Sequence, residues 1–445
     1  MIDLKVVAFE RPADNALANI NRMLSDAVAP GRGRCPVTSR LPLRRTVGLG
    51  LLLALIAACS EDQQTEPDAV QRRDSAGIAI IETPGSAARA PIGWTIGQEP
   101  ELQLGSAAGQ ESEYFYQIDG RYRGGITGFP DGRIVVVNAG SGELLFFGRD
   151  GRFLNRLGIK GDGPGEFGRP PILVPYASND SLLICDVQNR RCTLFSSDGQ
   201  MHRSFMPDRP GVMVGRVRGA SESGIVVTAP LYAAPMAEGH HSWPTAVRWI
   251  SVESGRADNV AQFNTHSYFV KDLGGIRFEI PVPFTTRPSA TVGDQGFVVT
   301  GGDTPDVRAF DNSGRLIRLF RLIEAPRPVT AEDVEGAIDS LVAQFTTARS
   351  EARRVYERMD IPTRWPAFQS VRVDRLGWIW AELFRPPHHL TPRWMVFDSS
   401  GVARGVVDLP PGLEIHDIGP DYVLGRWLDD LRVEYVRRYR LDRSR

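Results

Sequence analysis

Arg123, Arg216, Arg218, Arg287, Arg372 and His416 are the residues whose type and spacing best suit a chemical task in this 445-residue chain. They fall just before successive short apolar, β-prone runs. If those runs are strands around a common axis, the side chains converge. Converging guanidinium groups grip carboxylate, sulfate or phosphate oxygens through paired, charge-assisted hydrogen bonds. Composition offers the plainer account: lysine occurs only at Lys5, Lys160 and Lys271, so arginine is common enough to reach such places by chance. The pairs His240-His241 and His388-His389 are poor metal ligands by themselves, because adjacent residues of a strand point to opposite faces. No Gly-x-Ser-x-Gly elbow, His-Glu-x-x-His or repeated Cys-x-x-Cys occurs, so the common hydrolase and zinc signatures are absent. Asp150-Gly151, Asp198-Gly199 and Asp311-x-x-Gly314 lack the spacing of a Ca²⁺ loop and read as turns. No cofactor is expected from these residues.

Cysteine chemistry points to a compartment. Cys185 and Cys192 flank six residues inside an expected hairpin. With the turn on Gln188-Asn189 they sit opposite each other, at a separation that suits a disulfide in an oxidising compartment. Two small buried apolar residues are the alternative. Arg44-Arg45, the apolar run Val47–Ile56 and Ala57-Ala58 have the order of a secretory signal. That apolar run is too short for the roughly 20 residues of a spanning helix. Ile56-Ala57-Ala58-Cys59 resembles a lipobox, which makes Cys59 the expected lipidation site and the lipid its membrane partner. Ser60 after it resembles lipoproteins sorted to an outer membrane, so the expected address is the bacterial cell envelope. Residues 1–34 are mixed and polar with no sustained periodicity, so 1–36 reads as an extension before an expected start at Val37, with a signal over 37–58 and a flexible tether over 59–77.

What must position the candidate side chains is a repeat. A β-rich run, a gap, and an aromatic or apolar strand closing on a glycine turn recur. Asp131–Val137 leads to Leu144–Phe153, Ser181–Ile184 to Thr193–Gly199, and Gly224–Val227 to Val247–Gly255. Gly296–Val299 leads to Val307–Leu316, Gly377–Trp380 to Trp394–Gly401, and Tyr422–Leu424 to Val433–Arg440. Asp-Gly and Ser-Gly pairs supply the positive φ of tight hairpins. The alternating apolar residues give each strand one expected buried face. Six twisted sheets arranged radially cover one another and leave few edges. The turn glycines at 151, 199, 255, 314 and 401 are mostly further apart than in compact blades, so insertions are expected. The largest, about 330–360, opens on Thr330 as an N-cap with Glu332 and Asp333 in the first turn. It continues with Val334, Ile338, Leu341, Val342 and Phe345 at helical spacing. Arg349, Arg353, Arg354 and Arg358 form its basic face. That insertion either packs on the propeller with solvated charges or serves as a lid or partner contact.

These repeats, with Gly161-Asp162-Gly163-Pro164-Gly165-Glu166-Phe167 between the first two, resemble the NHL-type six-bladed β-propellers. More closely, they resemble bacterial six-bladed propeller lipoproteins, over roughly residues 78–445. The resemblance implies an all-β, six-bladed β-propeller with a helical insertion, closed by pairing strands of the two termini. Ile78–Glu82 is expected to join the blade holding Val433–Leu441, and the glycine string to cross from one blade to the next. The implied function is an envelope scaffold that binds a protein or an anionic small molecule. Insertion Pro230–Pro244, with Tyr232 and Trp243, and the helical insertion are the expected contacts. The alternative is an extracytoplasmic propeller enzyme, a lyase or a Ca- or Zn-dependent lactonase, with its site in the central channel. Removing residues 1–58 takes eight of 52 basic and four of 53 acidic residues, leaving 44 against 49. A slightly acidic chain lacks the basic surface of a nucleic-acid binder.

Overall fold

The computed structural model describes residues 69–444 apart from 107–108, 110–112, 121–123, 159–160, 162, 164–165, 168–170, 177–179, 187–190, 206–215, 232–236, 274–275, 294 and 345–348. Cys59, the expected signal segment, residues 59–68 of the expected tether, Arg123 and Tyr232 lie outside the described residues.

Six sheets follow one another along the chain, the blade strands of each pairing antiparallel. Blade one comprises Gly125–Gly128, Ile134–Asn138, Glu143–Phe147 and Phe153–Leu157. Blade two comprises Ile172–Val174, Ser181–Asp186, Arg191–Ser196 and Met201–Phe205. Blade three has Arg216–Ala220 and Gly224–Pro230, then the long arms Gly239–Ser251 and Ala257–Leu273, and Ile276–Pro281. Blade four holds Ser289–Gly293, Gly296–Thr300, Asp306–Phe310 and Leu316–Ile323. Blade five holds Phe368–Val373, Ile379–Leu383, Arg393–Phe397 and Ala403–Asp408. Blade six holds Glu414–Ile418, Tyr422–Leu428 and Glu434–Asp442.

The turn chemistry works as the repeat requires. Gly314 and Gly401 have φ of +81° and +87°, a region in which a Cβ would be strained. In the turn of Gly314, the carboxylate of Asp311 accepts from the backbone N–H groups of Ser313 and Arg315 at 2.9 and 3.0 Å.

One expectation needs correcting: the central strands bury both faces, not one. Ile134 and Val136 pack toward blade six, while Val135 and Val137 pack toward blade two. Successive side chains of a strand point to opposite faces, so a blade held between two others needs a continuous apolar run. Ile134-Val135-Val136-Val137 and Gly296-Phe297-Val298-Val299 are such runs. Each pair of adjacent blades encloses its own apolar cluster. Because the pair of blades six and one also does so, the ring is closed. The glycine string runs between the last strand of blade one and the first of blade two. Phe167 is buried there between the two blades, and Arg191 donates to the carbonyls of Gly163 and Glu166, both at 2.8 Å.

The closure also differs from expectation. Ile78–Pro84 runs parallel to Leu316–Ile323 on blade four, covered in turn by Gln71–Ser75. The closing strands are Leu102–Leu104 and Thr95–Ile96, which pair with Glu434–Asp442. The four-residue run Ile78–Ile81 suits a strand with a neighbour on each side, whereas Leu102-Gln103-Leu104 alternates as an outermost strand must. Gln71–Ser75 falls in the segment expected to be tether; it is an edge strand whose five residues are all exposed.

The insertion between blades four and five forms two helices, Ala331–Val342 and Arg349–Tyr356. Thr330 caps the first: its Oγ1 accepts from the Asp333 N–H at 3.1 Å, and the Asp333 carboxylate accepts from the Thr330 N–H at 3.0 Å. Ile338, Val355, Tyr356 and Met359 pack with Val282 and, at their margin, Phe269 and Ile280 of blade three. Arg353 bridges the helices through Glu335 and Asp339. Its charge therefore ties helix to helix. Trp243, expected as a contact residue, is buried beside Tyr268 at a 5.6 Å ring separation.

Candidate functional site in the central channel

The first strand of every blade contributes to the wall of a central cavity of about 580 Å³, within the size range of small-molecule sites. Arg216, Arg218, Arg287, Arg372 and His416 all lie in that wall. Arg218 Nε donates to Thr228 Oγ1 at 2.8 Å. Arg287 donates to the Tyr268 hydroxyl, and its guanidinium carbon stands 5.5 Å from that ring's centre. His416 is approached so closely by the backbone that a Cβ on Gly120 would come within 2.8 Å of its ring.

Sequence reasoning missed the other charged groups of the wall. Arg375, Arg385, Asp119, Glu382, Glu414, Asp374 and Asp417 belong to it. A signal existed for Glu414, which shares a strand with His416 two residues on. Arg385 and Glu382 come from the second strand of blade five and the residues just after it, which the rule of looking just before each repeat passes over.

The acids are already engaged. Asp417 accepts from the Gly128 N–H at 2.7 Å, from Arg375 Nη2 at 2.9 Å and from the Tyr422 hydroxyl at 3.1 Å. This latch joins blades one, five and six. Burial works against the charge of Arg375, but Asp417 and Tyr422 more than offset it and raise its pKa. Burial, with the Asp417 carboxylate, pushes the Tyr422 hydroxyl up, so it stays a neutral donor. Glu414 lies 2.9 Å from Arg426 Nη1, and Arg426 also grips Glu434 at 2.6 Å. The Ser370 hydroxyl donates to Glu382 at 2.7 Å. Asp374 is held by Arg443 Nη2 at 2.8 Å.

The channel thus has guanidinium groups concentrated on blades three to five, and carboxylates on blades five and six that are tied into ion pairs. Such a wall can bind an oxyanion through the first and accept hydroxyl hydrogens through the second. Among the described residues, no three His, Cys, Asp or Glu side chains gather as a metal site. His241 Nε2 lies 2.8 Å from the Ala237 carbonyl, and the rings of His388 and His389 stand 4.5 Å apart. No described helix is long and apolar enough to cross a membrane.

A family model described as a 6-bladed β-propeller, DUF5128, matches residues 127–204, from blade one to the end of blade two. No curated protein matches the sequence. Among solved structures, a member of the DUF4221 family from Bacteroides vulgatus is similar at 10% identity. It covers 78% of this chain and 98% of its own, with a TM-score of 0.46. Virginiamycin B lyase from Staphylococcus aureus is similar at 10% identity, over 86% of this chain and 96% of its own, with a TM-score of 0.33. A luciferin-regenerating enzyme is similar at 9% identity, over 77% and 95%, with a TM-score of 0.36. At such identities and scores the activities of these proteins say nothing of this one. The family match and the six interlocked blades agree on architecture, and the chain is a six-bladed β-propeller.

Proposed function

We propose that this protein is an envelope lipoprotein, anchored through Cys59 and facing out of the cytoplasm, whose propeller is a binding scaffold for an anionic small molecule. The observation that carries the reading is the approach of Arg216, Arg218, Arg287 and Arg372 to one cavity from three neighbouring blades. Arginine suits this task because its planar fork matches carboxylate and phosphate oxygens and its charge is permanent. The lipobox-like sequence and a disulfide between Cys185 and Cys192 support an oxidising, extracytoplasmic address. A metal-dependent reaction finds less support, since Asp374, Asp417 and Glu414 of the channel wall are each paired with an arginine.

The test is calorimetric titration of the purified protein with sulfate, phosphate and succinate. Saturable binding of at least one is expected, weakened about tenfold or more in Arg218→Ala and Arg372→Ala, since a charge-assisted hydrogen bond contributes roughly 1.5–3 kcal/mol. Absence of binding for all three anions would refute the reading. Mass spectrometry of the membrane-extracted N-terminus checks the anchor: acylation at Cys59 is expected, and an unmodified Cys59 inside an uncleaved chain would remove it.

A further inference from the structure

One face of the propeller carries apolar side chains that the core does not use. Strands within a blade alternate in direction. The connections from second to third strand, and from the outermost strand to the next blade, therefore open on the same face of the ring. Leu390 lies in such a connection of blade five and Leu431 in that of blade six. Tyr114 and Tyr116 lie between the closing strand and blade one. They are 67%, 83%, 47% and 60% exposed, in that order. Among the described residues, the other large apolar side chains so exposed are Leu154 and Met201 on outermost strands and Leu376. Only Leu376 sits in a turn of the opposite face.

The four side chains are joined into one band. The Gly412 N–H donates to the Leu390 carbonyl at 3.2 Å. A Cβ on Gly412 would stand 3.5 Å from the Trp427 indole nitrogen. The Trp427 ring centre is 5.8 Å from that of Tyr435, and these two residues flank the turn that carries Leu431. Phe115 bridges to Glu434 at the foot of the same turn. Phe115 is buried, and in extended chain its neighbours Tyr114 and Tyr116 point the other way, to solvent. Leucine, tyrosine and tryptophan together suit a membrane–water boundary, where an apolar body and a polar tip are both satisfied.

The path of the chain into the fold indicates what covers this band. Gln71 pairs with Glu82, and Glu82 with Arg321, toward the end of Leu316–Ile323. From there the chain passes into the helical insertion, which is a connection on the same face. The segment before Gln71 thus arrives at the face that carries the band. Residues 59–68, even fully extended, reach no more than about 35 Å. An acyl group on Cys59 would keep this face beside the bilayer, at an effective concentration that lets a weak contact persist. Asp430 and Arg432, both exposed, flank Leu431 with opposite charges, so the contact is apolar and not an attraction to acidic headgroups. We propose that this face docks on the leaflet that holds the anchor, with Leu431 entering deepest; the proposal rests on acylation of Cys59.

The test reconstitutes the full-length acylated protein in phosphatidylcholine vesicles, part of whose lipid carries a nitroxide on its acyl chain. A fluorophore is attached through Leu431→Cys or, on the opposite face, through Leu376→Cys. Both side chains are exposed, so neither change disturbs the core. Quenching is expected with Leu431→Cys and not with Leu376→Cys. Adding Leu390→Asp and Tyr116→Asp is expected to abolish it, whereas high salt, which screens only charges, is expected to leave it in place. Equal quenching at the two positions, or none with Leu431→Cys, in protein that floats with the vesicles overturns the docking and leaves the anchor intact. Crosslinking of that position to a second protein, without quenching, overturns it in favour of a protein partner. Protein that fails to float with the vesicles overturns the anchor and the docking with it.

Discussion

Asp374 concentrates more of the fold's polar order than any residue singled out by motif. Its side chain is fully buried beside Arg443. It accepts from Arg443 Nη2 at 2.8 Å, from the Trp380 indole at 2.9 Å, and from the backbone N–H groups of Leu376 and Trp378 at 2.9 and 2.8 Å. Asp374→Ala would strand a guanidinium and an indole donor, and is expected to cost roughly 3–5 kcal/mol in denaturant unfolding. Asp398 repeats the device nearer the surface, accepting from the Ser400 hydroxyl, the Val402 N–H and Arg404 Nε. Burial alone would raise its pKa, but these hydrogen bonds outweigh it and hold the carboxyl below the ordinary value. A folded pKa below the unfolded one stabilises fully above about pH 4. The gain is lost as pH falls through the lower folded value. Unfolding free energy is therefore expected to drop with acidification below about pH 4, and less steeply in Asp398→Asn. Equal slopes for the two proteins would remove Asp398 from the cause. The aspartate turns were legible in the sequence as turns. The burial of Asp374 was not, because its partner Arg443 lies 69 residues away.

At the scale of elements, local signals were the reliable ones. The Thr330 cap marked the start of the helix at Ala331 because capping is decided within four residues, and the two helices fall within the range the apolar spacing outlined, with Phe345 outside the described residues. Of the basic face read from the same segment, Arg349, Arg354 and Arg358 are exposed, whereas Arg353 pairs with acids of the preceding helix that no spacing rule connects to it. In blade two, Cys185 and Cys192 stand directly opposite each other in register, with Cα atoms 4.0 Å apart and a disulfide between them. Their sequence separation of 7 closes a short loop, worth about 2.5 kcal/mol on the chain-entropy account. Denatured, unreduced protein is expected to show neither thiol free, and reduction to lower stability by about that amount. Both sulfurs sit between blades two and three, so the loss should appear as a lower global midpoint, whereas two free thiols before reduction would exclude the bond.

For the whole molecule, the six-fold repeat was readable because each blade announces itself through nearby residues. The closing strand was not, because it depends on which distant edge the N-terminal segment meets. Ile78–Ile81, the more apolar candidate, is drawn into blade four between two neighbours. The short strand Leu102–Leu104 completes blade six, where Leu104 joins Phe115, Leu424 and Val436 in the cluster shared with blade one. These two assignments differ in what they make of damage. If Leu102–Leu104 closes the ring, Leu104→Ala opens a cavity at the joint that no covalent link spans, and costs roughly 2–5 kcal/mol. Because every blade leans on two others, that loss is expected in a single cooperative transition and not as early melting of blade six. Shortening the chain to begin at Ala88 removes the Gln71–Pro84 strands, yet leaves all six blades and the closure in place. That variant is expected to keep the native near-ultraviolet signature with a lowered midpoint. If it instead loses its tertiary signal while Leu104→Ala unfolds like the wild type, the ring is closed by the first strands after all.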